Sequence, residues 1–177
     1  DDAMGEAFDK VARVMGMPYP GGAAMDRLAY EGKAILPFPS AAIRDDSLDF
    51  SFSGIKTAVL NYINSTSQKG EALNCADVAA SFCRAAVSSV STKLSLAIDR
   101  NPDIKAVALA GGVAANSHLR DEIEKLCKSR GLEFFCPDKK YCGDNAVMIA
   151  AAGYFEYIKG DIAPLSLNAE AARFEDV

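Results

Sequence analysis

An apolar run that halts on two glycines constrains this chain more than any other feature. The stretch VALAGGVAANSHLR, residues 107 to 120, passes from Val-Ala-Leu-Ala to Gly111-Gly112 and then into a helix-forming segment that carries Asn116. AVALAG is too short and too apolar for a surface helix and reads as a buried strand of a parallel sheet. A structural turn needs one glycine at most. Two, followed by small residues, point to backbone that must come close to something, because glycine reaches positive φ and takes Cβ out of the contact. Asn116, on the first turn of the next helix, can aim its amide at the same ligand. A plain turn with a surface Asn competes on equal terms, since the pattern is neither G-x-G-x-x-G nor a Walker loop.

The rest of the second half extends this unit. A helix over 115 to 129 carries the i,i+4 pairs Asp121–Lys125 and Glu124–Lys128, each contributing ~0.3 kcal/mol. Gly131 is its stop. EFFC, 133 to 136, is the next strand and ends at Pro137; a final helix runs from Asp144 to about Ile158, and 160 to 177 read as a tail. Helix, strand, helix, strand, helix is an α/β order with right-handed crossovers. Ligands of such sheets sit at the carboxyl ends of the strands. Gly111 and Gly112 lie at one such end; Cys142, Gly143 and Asp144 follow the other.

The first half is helical. Phe8, Val11, Ala12 and Met15 share one face of a helix over 3 to 16, and Pro18, Pro20, Gly21 and Gly22 make a tight turn into a short helix over 23 to 31. Residues 32 to 48 read as loop and 49 to 53 as a strand; Ser53 then caps a helix from Gly54 to about Asn64, and 65 to 72 are a polar linker. A long helix over 76 to 99 places Val78, Phe82, Ala86, Val90, Leu94 and Ala97 on one face.

Composition narrows the class. The chain has 177 residues, half of them hydrophobic, and a net charge of −5. That balance argues against gripping nucleic acid by bulk charge, though not against a nucleic-acid substrate held mainly by a partner. Five cysteines form no C-x-x-C pair, which suits reduced thiols in the cytoplasm. No run approaches the ~20 apolar residues of a membrane span, and no signal peptide is expected. Opening on DDAMGEAFDK without an initiator Met, the chain reads as a segment of something longer.

Several polar residues have a plain reading beside a functional one. Asp9 either pairs with a neighbouring Lys or Arg or accepts from ribose hydroxyls. PYPGGAAMD, 18 to 26, is a glycine turn whose helix amides can face a polar ligand group; Asp26 is a further acceptor or only a first-turn acid. Asp144 is an N-cap, stabilising by ~1 kcal/mol, or a carboxylate metal ligand. The single histidine, His118, reads as a surface residue, so the chain supplies no His-rich metal site. Arg120, Lys125, Lys128, Arg130, Lys139 and Lys140 can touch a nucleic acid, but a solvated helix face accounts for them better. Ser53-Gly-Ile-Lys56 matches S-x-x-K, but the companion S-D-N and K-T-G motifs are absent. No protein nucleophile stands out, so no catalytic residue is assigned.

Four blocks taken together are far more specific: DDAMGEAFDKVARVMG-x-PYPGG, FSFSGIKTAV, ALAGGVAANSHLR and CGDNAVMIAAAG. Through them residues 1 to 160 resemble the carboxyl-terminal half of the TsaD family, the tRNA N6-adenosine threonylcarbamoyltransferases formerly called O-sialoglycoprotein endopeptidases. The resemblance implies an α/β fold: a lobe of the acetate/sugar kinase–Hsp–actin superfamily, with a mixed sheet flanked by helices, and 161 to 177 as a tail. It implies transfer of threonylcarbamoyl from threonylcarbamoyl-AMP to N6 of the adenosine beside the anticodon. Asp9, Gly22, Asp26 and Asn116 match positions that hold the adenylate, and Asp144 matches the carboxylate ligand of a divalent metal, iron or zinc. The two histidine ligands belong to an amino-terminal half that this chain lacks. tRNA, that missing lobe, a related actin-like paralogue and a small ATPase are the implied partners. A non-catalytic nucleotide- or partner-binding actin-like module is the alternative; a kinase is weaker, for want of a base.

Overall fold

The computed structural model describes residues 3–42 and 47–168. The chain divides into two compact units, Asp1–Gly143 and Asp144–Val177.

In the first unit, α1 (Met4–Val14) buries Met4, Ala7, Phe8, Val11 and Ala12, which recur three and four residues apart and make one apolar face. α2 (Gly22–Leu28) follows a turn with a cis Tyr19–Pro20 bond. α3 spans Phe52–Gln68 and α4 spans Cys75–Arg100. Phe8 of α1 and Phe82 of α4 meet edge to face, centroids 4.8 Å apart, in the middle of a core that α1 to α4 share. α4 starts where sequence logic puts it: the Asn74 side chain accepts from Asp77 N–H.

The expected strand over 49 to 53 does not form. Phe50 makes an isolated antiparallel bridge with Ala42, and α3 already begins at Phe52. The alternation of DFSFS served helix entry: Phe52 and Ile55, three residues apart, are both buried in the core. Ser53 therefore lies inside α3, and the N-cap position is Ser51, whose side chain accepts no cap hydrogen bond. The helix also consumes part of the expected linker and ends at Gln68.

The sheet is smaller than expected. β1 (Ala106–Ala108) and β2 (Glu133–Phe135) pair in parallel, joined by a 3-10 turn (Gly112–Ala115) and α5 (Ser117–Arg130). Among the described residues the sheet has two parallel strands and is not mixed. Nor is β1 buried on both sides: Val107 and Phe134 pack on the core, while Ala106, Ala108 and Phe135 are exposed. Gly131 stops α5 in the left-handed conformation, as expected, and Lys128 pairs with Glu124 at 2.7 Å.

The second unit is described through residue 168. Its helix α6 (Ala146–Lys159) is capped by Asn145, whose side chain accepts from Met148 N–H. Asp144, read as a possible N-cap, sits one residue too early for that role. The tail expected from 161 lies partly outside the described residues. No helix among those described is long and apolar enough to cross a membrane.

Candidate functional site

A cavity of about 700 Å³ opens in the first unit, within the size range of small-molecule sites. Asp9, Gly22, Asp26 and Asn116, drawn from α1, α2 and the start of α5, all line it. Gly112 lines it too, from the turn after β1, and Phe8, Val113 and Ala115 give it apolar wall.

Asp9 is neither a solvated charge nor an ion-pair partner of a neighbouring base. Its Oδ1 accepts from Gly21 N–H at 2.8 Å and Gly22 N–H at 3.0 Å. Helix N-termini leave such donors orphaned, and a carboxylate from twelve residues back satisfies them. The Gly21 and Gly22 amides at the entry to α2 are thus spent on Asp9. Among the described residues Asp9 Oδ2 has no hydrogen-bond partner, and Asp9 lines the cavity.

Asp26 is 8 % exposed and fully engaged. Ser117 N–H donates to both of its oxygens at 3.1 Å, and Ser117 Oγ donates to Oδ2 at 2.7 Å. His118 Nδ1 lies 2.9 Å from Oδ1. Burial raises the Asp26 carboxyl, but the hydrogen bonds from His118 and Ser117 outweigh it and hold the group below its ordinary range. Asp26 thus ties α2 to the first turn of α5. His118 is accordingly not the surface residue the sequence suggested. Its ring stacks on Tyr30 at 3.9 Å between centroids, and Tyr30 Oη donates to Ser117 Oγ at 3.0 Å.

Asn116 is the N-cap of α5 and does not sit on its first turn. Its Oδ1 accepts from Leu119 N–H at 2.8 Å. The same side chain hydrogen-bonds the buried Cys83 thiol, which burial, with the Asp26 charge beside it, pushes up to about 12. Donor atoms of Asp26, Cys83 and His118 lie within 4.8 Å of one another, the spacing of a metal cluster. In this structure the carboxylate oxygens accept from Ser117 and His118, so that Asp26 latches α2 to the first turn of α5.

Asp144 opens the second unit. Its carboxylate is exposed, with no hydrogen bond or ion pair among the described residues. It is therefore available as one anionic oxygen ligand for a metal, which needs further ligands besides.

Sequence reasoning missed two residues of the cavity. Lys139 lines it from a short 3-10 turn (Lys139–Tyr141), and Arg27 lines it from α2. Lys139 had one legible signal, its place just past the carboxyl end of the second strand; Arg27 had none. Arg120 also departs from the solvated face assigned to it: it is half-buried and reaches loop carbonyls.

The family model for tRNA N6-adenosine threonylcarbamoyltransferase (TsaD) matches residues 1–151. The chain belongs to this family. It is 52 % identical over 170 residues to the tRNA N6-adenosine threonylcarbamoyltransferase of Moorella thermoacetica, covering 96 % of this chain and 49 % of that protein. The same-named protein of Clostridium botulinum strain 657 is 50 % identical over 175 residues, covering 96 % and 50 %. The chain thus spans about half the length of the curated relatives it matches. Among solved structures, T. kodakarensis HypF superposes with a TM-score of 0.63 at 22 % identity, over 90 % of this chain and 20 % of that one. At that identity the likeness shows the α/β fold alone.

Proposed function

We propose that residues 1–160 form the carboxyl-terminal portion of a two-lobed, actin-like transferase, and that the cavity is its half-site for the AMP moiety of threonylcarbamoyl-AMP. The reaction moves threonylcarbamoyl to N6 of the tRNA adenosine next to the anticodon. One observation carries the reading: Asp9, Gly22, Asp26 and Asn116, up to 107 positions apart in the chain, line a single cavity.

Each wall residue has a role its surroundings allow. Asp9 Oδ2, the oxygen not spent on α2, accepts from a ribose hydroxyl. Phe8 and Val113 offer apolar surface to the base. Gly22 and Gly112 let backbone approach, since a Cβ there would add bulk on the cavity side. Lys139 and Arg27 supply positive charge for the phosphate. Asp26 acts chiefly by fixing the start of α5, so that the remaining amide hydrogen of Asn116 meets the ligand.

The free Asp144 carboxylate fits a divalent metal, iron or zinc, with histidines from outside this chain completing the set. Such a metal, when bound, would supply Lewis acidity at the carbamoyl carbonyl as AMP leaves. The adenosine amine is the nucleophile, and no covalent enzyme intermediate is needed. In this reading the protein works in the cytoplasm, with tRNA, an actin-like paralogue and a small ATPase as partners.

AMP binding to this chain tests the reading. A ligand at 100 times its Kd stabilises by about 2.7 kcal/mol, so excess AMP raises the melting temperature, and Asp9→Asn abolishes most of that rise. No protection of the parent chain by AMP overturns the half-site. In the full-length enzyme, Asp144→Ala is expected to lose both bound metal and transferase activity; a metal-loaded, active variant contradicts the ligand assignment.

A further inference from the structure

Arg120 sits four residues past the N-cap of α5, yet its side chain turns back toward the loops. Nε donates to the carbonyl of Ala114. Nη2 donates to the carbonyl of Pro137 at 2.6 Å and to Cys142 Sγ at 3.1 Å. Among the described residues it forms no ion pair with a carboxylate. A half-buried guanidinium answered only by carbonyl dipoles and a thiol is costly unless its geometry is specific.

The acceptors explain where that specificity lies. Ala114 belongs to the turn after β1, which puts Gly112, Val113 and Asn116 on the cavity. Pro137 and Cys142 bracket the segment after β2, which puts Lys139 on the cavity. The last ladder bond between these strands is Leu109 N–H to the Phe135 carbonyl, 2.9 Å. Beyond it the segments part, and one planar fork spans the gap. Arg120 itself does not line the cavity.

We propose that Arg120 is a positioning residue whose guanidinium sets the gap between the two loops walling the cavity, and so its affinity for an AMP moiety that Arg120 does not touch. The affinity half of this statement rests on the adenylate reading above; the clamp half does not. A lysine keeps the charge but cannot hold three acceptors in one plane.

The test compares the parent chain with Arg120→Met and Arg120→Lys. Three readouts are taken: Cys142 alkylation by iodoacetamide, resolved by peptide mass spectrometry; AMP affinity by calorimetry; and helix content by circular dichroism. Cys142 is 5 % exposed beneath the fork. Losing charge-assisted bonds of this kind is expected to change both Cys142 labelling and AMP affinity roughly tenfold, with helix content kept. Millimolar methylguanidinium should restore both in Arg120→Met, where equal sodium chloride does not. A residue that mattered only to packing would gain nothing from the small cation. Unchanged labelling in both variants, or rescue no better than salt, overturns the proposal. Should Arg120→Met fail to fold, Arg120→Lys decides by the same labelling comparison. Should the parent bind no AMP, the adenylate reading fails alone and labelling still judges the clamp.

Discussion

The molecule turns twice on a pair of glycines, and the two corners are built in opposite ways. At Gly21-Gly22 the chain is closed upon itself. A Cβ on Gly21 would lie 2.1 Å from Ala12 Cβ, and Asp9 seals the corner by accepting both glycine N–H groups. At Gly111-Gly112 a Cβ on either residue would meet no atom of the described residues within 4 Å, its own chain neighbours aside. Gly111 is nonetheless required by its backbone, at φ 86°. The first corner holds Gly21 for packing, while Gly22 beside it has ordinary room for a Cβ. The second holds glycine for conformation at one residue and for open space at the next. Space that the protein keeps empty of its own atoms beside a cavity is what a ligand site needs, and a glycine pair in the sequence does not say which kind it is.

Substitutions can break this contrast, and the largest effect belongs to the closed corner. Gly21→Ala drives a methyl into Ala12 and should lower stability by about 3 kcal/mol, the upper range for overpacking. Chemical denaturation measures it; a loss below ~1 kcal/mol would mean the α1–α2 contact yields easily and the corner is not closed.

Next comes the carboxylate that steadies the open corner. Asp26→Asn removes an acceptor shared by Ser117 and His118 and should cost about 2 kcal/mol near neutral pH. The pH profile carries its own sign. The folded carboxyl is held below its unfolded value of about 3.9, so its contribution is complete above that pH. It is lost as pH falls through the lower folded value. The parent should therefore lose stability below about pH 4 by a component that Asp26→Asn lacks. Coincident acid profiles would remove Asp26 as the latch.

The smallest stability effects belong to the open corner itself. Gly111→Ala must adopt φ 86° with ψ 175°, a region essentially reserved for glycine, and should cost about 1.5 kcal/mol. Gly112→Ala should change stability by less than ~0.5 kcal/mol while weakening AMP binding, because its methyl projects into the cavity side. Equal stability losses for Gly111→Ala and Gly112→Ala, with AMP affinity untouched, would erase the distinction between the corners.

Much of the fold was legible because it rests on local rules. The apolar faces of α1 and α4 and the left-handed stop at Gly131 each follow from residues within a few positions of one another, and the parallel β1–α5–β2 crossover follows from the order of the elements. DFSFS misled because alternation and helix entry share the same two phenylalanines, and only the core into which Phe52 fits chose between them. The mixed sheet came from the resemblance, and the described strands are two and parallel.

Within the site, sequence determined which residue types stand ready: short carboxylates, an Asn, bare glycines and a lysine past the second strand. What each one does was decided by partners far along the chain. Asp9 meets Gly21 and Gly22, Asp26 meets Ser117 and His118 some ninety positions on, and Arg120 turns inward to Pro137 and Cys142. A carboxylate or guanidinium can be satisfied by water or by protein with nearly equal ease. Only the packed structure, by excluding water, fixes which of its lone pairs and protons are spent within the chain and which are left for a ligand.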